Sequence, residues 1–138
     1  MFRHPFLAAL LLGFLVVSGS PAGSAPLVGR SAPPELYRAR LEAARRAYKV
    51  TLKALRTGRA DADTMYLWSV RWLESEKAVS KTKAERIAAC TAHLKRMEDL
   101  GKLVEVRFKT GNADFSQTVA IQFYLAEARV WEAEAKVK

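Results

Sequence analysis

Cys90, His93 and Met97 lie at i, i+3 and i+7 of one helical pattern, so a thiol, an imidazole and a thioether share one side of a helix. That donor set suits a soft cation such as Cu(I). Cys90 and Met97, however, also fall on an apolar seam, Cys90 is the only cysteine, and His93 is the only histidine beyond His4. Three soft donors with no second Cys or His make a poor metal site, and both residue types are ordinary core material. No metal and no cofactor is expected. Acid–base or nucleophilic catalysis would fall to that single histidine or to carboxylates such as Glu74 and Glu127. The chain holds no glycine-rich phosphate loop, paired metal motif or nucleophile elbow, so it reads as a non-enzyme.

The elements that carry these residues are organised by a motif written twice. Thr57-Gly58-Arg59-Ala60-Asp61 returns as Thr110-Gly111-Asn112-Ala113-Asp114, and the offset of 53 also carries Leu41 onto Leu94 and Glu74 onto Glu127. Gly58 and Gly111 each follow a long helical pattern and can take the left-handed conformation that ends a helix. Asp61 and Asp114, three residues on, can cap the next helix, and Asp114 with Gln117 has capping-box spacing. So short a connection sets two helices antiparallel. Glu74 and Glu127, equivalent under the repeat, suit pairing with an arginine on a neighbouring helix.

Residues 1–25 have the pattern of a signal peptide: a basic start at Arg3, an apolar run of 12 residues from Phe6 to Val17, and a small-residue tail with Ser20-Pro21-Ala22 and Gly23-Ser24-Ala25 as candidate cleavage sites. The run is shorter than the roughly 20 residues needed to cross a bilayer, and no cysteine follows it as a lipid anchor. Export to the periplasm or the medium is therefore expected. Residues 26–34 form a linker, punctuated by Pro33-Pro34, and 35–138 a single helical domain. The lone cysteine means that no internal disulfide staples it. The fold expected is all-α: a four-helix antiparallel bundle of two repeated hairpins, 35–80 and 82–138.

Charge is distributed unevenly along the chain. The net formal charge is +9, of which +6 (eight basic and two acidic residues) lies between Glu35 and Arg59. Tyr37, Leu41, Ala44, Tyr48, Leu52 and Leu55 make one face of that first helix. Arg38, Arg45, Lys49 and Arg56 fall within ~40° of one another on the other side. That stripe is either a solvated face or a surface for an acidic envelope component or protein. Nucleic acid is not an expected partner of an exported chain.

Helix two, from about Asp61 to Ser80, carries two apolar stripes: Met65, Trp68, Trp72 and Val79, then Tyr66, Val70 and Leu73. The fourth helix repeats this, with Phe115, Val119, Phe123, Ala126, Val130, Ala133 and Val137 on one face and Ile121, Leu125, Ala128 and Trp131 on the other. A helix apolar on two sides contacts two neighbours, either within a bundle or through a stripe left for a protein partner, with Trp68 and Trp72 as the candidate contacts. An oligomer is compatible with either. Thr82 and Glu85 predict the start of helix three, whose seam runs Ile87, Cys90, Leu94, Met97, Gly101, Val104 and Phe108. Tyr48, the counterpart of Gly101 under the repeat, is expected to pack over that glycine.

A glycine ending one helix, a polar cap, then an apolar helix with a central Glu resembles the helical hairpins of TolC-type outer-membrane efflux proteins. Gly58, Asp61, Leu73 and Glu74 carry the likeness, and Gly111, Asp114, Leu125 and Glu127 carry it again. Val79 to Glu85 leaves no room for that family's transmembrane strands, so the resemblance implies a barrel-free hairpin pair able to associate with helical envelope or efflux machinery. Size, charge and predicted export are also similar to the small basic periplasmic chaperones of the Spy and CpxP type, without their Leu-Thr-x-x-Gln signature. The function expected is a non-catalytic binding or scaffold module, with a chaperone as the alternative.

Overall fold

Pro33 and Pro34 start the first helix, because proline's fixed φ suits the first turn and its missing N–H is not needed there. In a computed structural model, which describes residues 32–137, α1 runs Pro34–Arg56, α2 Ala62–Val79, α3 Lys83–Lys109 and α4 Phe115–Val137. They form an all-α four-helix bundle with no strand among the described residues. The segment 1–25, read from the sequence as a signal peptide, and most of the expected linker lie outside the described residues. No described helix is long and apolar enough to cross a membrane.

The two bends are built alike. Gly58 and Gly111 have φ of 76° and 72°. At the first, Gly58 N–H donates to the Leu55 carbonyl and Arg59 N–H to Ala54; at the second, Gly111 donates to Phe108 and Asn112 to Arg107. Both are Schellman closures, which satisfy the last carbonyls of a helix. Asp61 then accepts the Thr64 N–H at 2.8 Å, and Asp114 accepts that of Gln117 at 3.1 Å. The Gln117 side-chain oxygen finds no partner, so the box predicted there is only half made. Between the hairpins the capping box of Thr82 and Glu85 is complete, and this separates α2 from α3 without glycine or proline.

The hairpins do not pack as equivalents. α1 lies along α2 and α3 along α4, but α2 also meets both α3 and α4, while α1 and α4 do not approach each other. Helix α2 is thus covered from three sides. Its buried seam, Ala62, Met65, Ser69 and Leu73, runs between the two expected stripes. On α3 the buried face is broader than the expected seam: it takes in Ala89, His93, Arg96 and Leu100, while Phe108 is exposed. A helix between several neighbours needs a wide buried arc, not one narrow line.

Gly101 shows the same departure. A Cβ there would stand 3.1 Å from Ile121 Cγ2 and 3.8 Å from Leu125 Cδ1, so the glycine admits α4. Tyr48 instead meets the Trp72 ring edge-on at 5.4 Å. Glu74 and Glu127 also differ from expectation: Glu74 pairs with Lys77 on its own helix, and Glu127 accepts the Tyr66 hydroxyl. We predict that Gly101→Leu lowers stability by about 2 kcal/mol or more, since overpacking forces the α3–α4 contact apart. Gly101→Ala should cost less, and Ile121→Leu, which takes the branch off Cβ and so removes Cγ2, should restore part of that loss. Thermal melts of the three variants check this, and a Gly101→Leu protein as stable as the parent would refute the close approach.

Candidate functional site

The densest polar chemistry is buried where α2 meets α3. Ser69 follows Met65 by four residues and precedes Leu73 by four, so a small hydroxyl occupies a seam of apolar residues. Arg96 Nε–H donates to Ser69 Oγ at 2.8 Å, and His93 Nδ1 lies 2.9 Å from the same oxygen. The imidazole tautomer sets which of the two donates in that pair, and His93 Nε2 is buried with no partner among the described residues. Ser69 and His93 are each 0% exposed. Burial, then the neighbouring Arg96 charge, lowers the His93 pKa to about 4, so the ring is neutral at pH 7.

Arg96 joins this pair to the aromatic wall. Its guanidinium sits 4.1 Å from the centre of the Trp72 ring and 6.0 Å from that of Tyr48, the two rings standing at 68° to each other. Arg45, placed on the basic stripe by the sequence, is half-buried: it reaches across to Glu76 at 3.1 Å and lies 5.7 Å from the Trp72 ring centre. Arg38, Lys49 and Arg56 are exposed, together with Arg46 and Lys53. Trp68 and Trp72 are both half-buried, with Arg71 over Trp68 at 4.6 Å. These tryptophans are therefore tied to arginines and are not an open stripe.

A groove of about 380 Å³ opens between α1 and α3, with Met65 and Trp72 of α2 among its lining residues and Leu52, Arg96 and Leu103 on its sides. Trp72 Nε1 and Arg96 Nη2 find no protein acceptor there. A smaller cleft of about 210 Å³, at the far end from the glycine bends, is lined by Lys77, Lys83, Arg86, Cys90 and Trp131. Burial pushes the Cys90 thiol pKa up, which makes it a poor nucleophile. Cys90 clusters with Leu73 and Ala89, whereas Met97 belongs to the main core, so the three soft donors do not form one site. Among the described residues no group of three or more His, Cys, Asp or Glu comes together.

Two tyrosines join α2 to α4. Tyr66 and Tyr124 stack at 3.9 Å with 8° between planes, Tyr66 donating to Glu127 and Tyr124 to Asp63 at 2.8 Å. Burial and the acceptor carboxylate push the Tyr124 pKa up to about 12, so it stays a donor at neutral pH. Among the described residues the opposite face of α4 is uncovered, apart from the Phe115 ring, which meets that of Phe108 at 6.3 Å. Phe115, Val119, Phe123, Ala126, Val130, Ala133 and Val137 are all exposed, Phe123 by 62% and Phe115 by 69%. The sequence pattern had shown this face; what it missed was Ser69 and Arg96, whose only signal was a polar residue at seam spacing.

Comparison of the chain with protein-family models, with curated proteins and with solved structures returns no match.

The buried imidazole predicts an acid sensitivity. A His whose folded pKa lies below its unfolded value of about 6.5 leaves stability intact above 6.5 and removes it as pH falls toward the folded pKa, where further loss ends. For His93 that window is pH 6.5 to about 4. The melting temperature should fall progressively across it, well before the capping carboxylates Asp61 and Asp114, whose pKa values are held low by their hydrogen bonds, become protonated. In His93→Gln the melting temperature at pH 7 should be lower, but its slope between pH 6.5 and 4.5 should be flatter; an unchanged slope would count against a buried neutral ring.

Proposed function

We propose that this chain is an exported, non-catalytic helical binding module that docks a helical protein partner along the outer face of α4. One observation carries the reading: α4 presents a second apolar seam to solvent, including two phenylalanines, although its opposite face is already packed on the bundle. Isolated exposed apolar residues are ordinary, whereas seven in helical register along one face mark a contact surface. A helix-in-groove or helix-on-helix partner would read such anchors at spacings of three and four.

Two further features support a scaffold over a catalyst. The Ser69–His93 pair is sealed inside the core, with no exposure at either residue, and its serine is engaged by an arginine. The exposed basic residues of α1 stand on a helix that does not approach α4, so an acidic surface and an apolar partner can be held at once. Export is supported by the signal-like pattern of residues 1–25, and association with envelope or efflux machinery by the hairpin resemblance.

A photoreactive phenylalanine analogue at position 123 of the full chain, activated in intact cells, tests the reading. Adducts to one or a few proteins are expected, and Val130→Glu in the same chain should reduce them about tenfold or more, as for a residue central to a contact. Helix content and melting temperature should barely change, because position 130 is exposed. A continuous smear of unfolded clients would favour a chaperone. Absence of any protein adduct would overturn the docking role.

A further inference from the structure

We infer that the occupant of the α4 face is a second copy of this chain, paired through a parallel two-stranded coiled coil of α4 with α4. This rests on the reading of α4 as a docking face and names its partner.

The first ground is the heptad register. From Val119 the exposed residues step by 4, 3, 4, 3 and 4, which places Phe123, Val130 and Val137 at a and Val119, Ala126 and Ala133 at d. Ile121 and Ala128, the buried residues of α4, then fall at f, diametrically opposite. One helix therefore serves its own bundle on one side and carries a complete coiled-coil seam on the other. Val at two of three a positions suits a two-stranded assembly, and alanine at two of three d positions lets the helices approach closely.

Charge fixes the direction. The flanking e positions are Glu127 and Glu134, and the g positions are Gln122, Arg129 and Lys136. In a parallel pair a g residue faces the e residue five positions later on the other helix, so Arg129 meets Glu134 of the other copy and Gln122 meets Glu127. An antiparallel pair would set g against g and e against e, bringing Arg129 and Lys136 onto cations and glutamate onto glutamate. Acidic e with basic g is a parallel code.

The ends of the helix array give the third ground. Stacked hairpins need a polar outer face at each end, or the terminal apolar face goes uncovered. At the α1 end Arg38, Arg46, Lys49, Lys53 and Arg56 supply such a face, while the α4 end is apolar. Head-to-tail stacking would lay that apolar seam on the basic face of α1. A two-fold pairing of α4 with α4 instead buries apolar on apolar and leaves the basic helices outermost, which closes the assembly. With 23 residues, α4 is about 34 Å long, so the contact is a modest one and the dimer should dissociate on dilution.

The test uses protein recovered from cells expressing residues 1–138. Sedimentation between about 1 and 200 μM, the range in which a modest interface populates both species, should show a monomer–dimer equilibrium. Phe123→Glu should leave a folded monomer throughout. Arg129→Glu should weaken the dimer by about tenfold, and Arg129→Glu combined with Glu134→Arg should bring it back to within about threefold of the parent. Under oxidation Val119→Cys should give a disulfide-linked dimer, because parallel helices bring both copies of position 119 together; antiparallel helices would separate them by about 27 Å. The parent, whose only thiol is buried, should give none. A monomer at every concentration overturns the inference, as does a dimer that Val119→Cys cannot link or that Phe123→Glu leaves intact. Adducts at position 123 to a different protein, with a monomeric parent, would overturn self-pairing while leaving the docking role standing. Adducts confined to residues 1–31 of the same chain would overturn both.

Discussion

Helix α2 contacts each of the other three helices, and the core depends on how those contacts are satisfied. Its solvent face is one strip, Asp63, Leu67, Arg71, Glu74 and Ala78, and polar groups that enter the buried seam must be met inside. Ser69 is such a group, and it is small enough to let α3 come close. Its hydroxyl takes the Arg96 Nε–H and faces His93 Nδ1, which fixes the rotation of α3 about its own axis. That rotation buries His93 and Arg96 where a simple apolar seam would have turned them outward.

The rest of the hairpin interface follows from Arg96. Its charge is carried into the core against the Trp72 face, and Tyr48 and Arg45 complete a cluster that joins α1 to the other helices through side chains, while the α1 and α3 backbones stay apart. The result is a groove, not a sealed layer. On the opposite side of α2 the stacked Tyr66 and Tyr124 perform the corresponding task for α4, each hydroxyl held by a carboxylate of the other helix. The hairpins are thus joined by polar and aromatic pairs as much as by aliphatic packing, and such pairs specify one register because each donor must find its own acceptor.

An asymmetric assembly of this kind also explains why the two ends differ. By the repeat, the α2 residues Ala62, Ser69 and Leu73 correspond to Phe115, Gln122 and Ala126 of α4. The first set is buried between the two hairpins; the second set lies exposed on the outer side of α4. The repeated pattern thus sets a helix with two apolar faces at a position where one face meets the bundle and the other meets no described residue of another helix except at Phe115. The apolar α4 face follows from that, as does the division of the surface into a basic end and an apolar end.

Much of the local structure could be taken from the residues alone. The glycine bends, the aspartate caps, the Thr82–Glu85 start and the two apolar faces of α4 depend on contacts within a few residues, so spacing determines them. The order and sign of the charges flanking the α4 seam are fixed in the same way. Tertiary structure alone decided which of two apolar faces is covered, that Gly101 receives Ile121 and not Tyr48, that Arg45 folds inward onto Glu76, and that Ser69, His93 and Arg96 meet. Those outcomes depend on which helices become neighbours and at what rotation. Periodicity along one helix gives the positions that share a face, but carries no record of what stands opposite it.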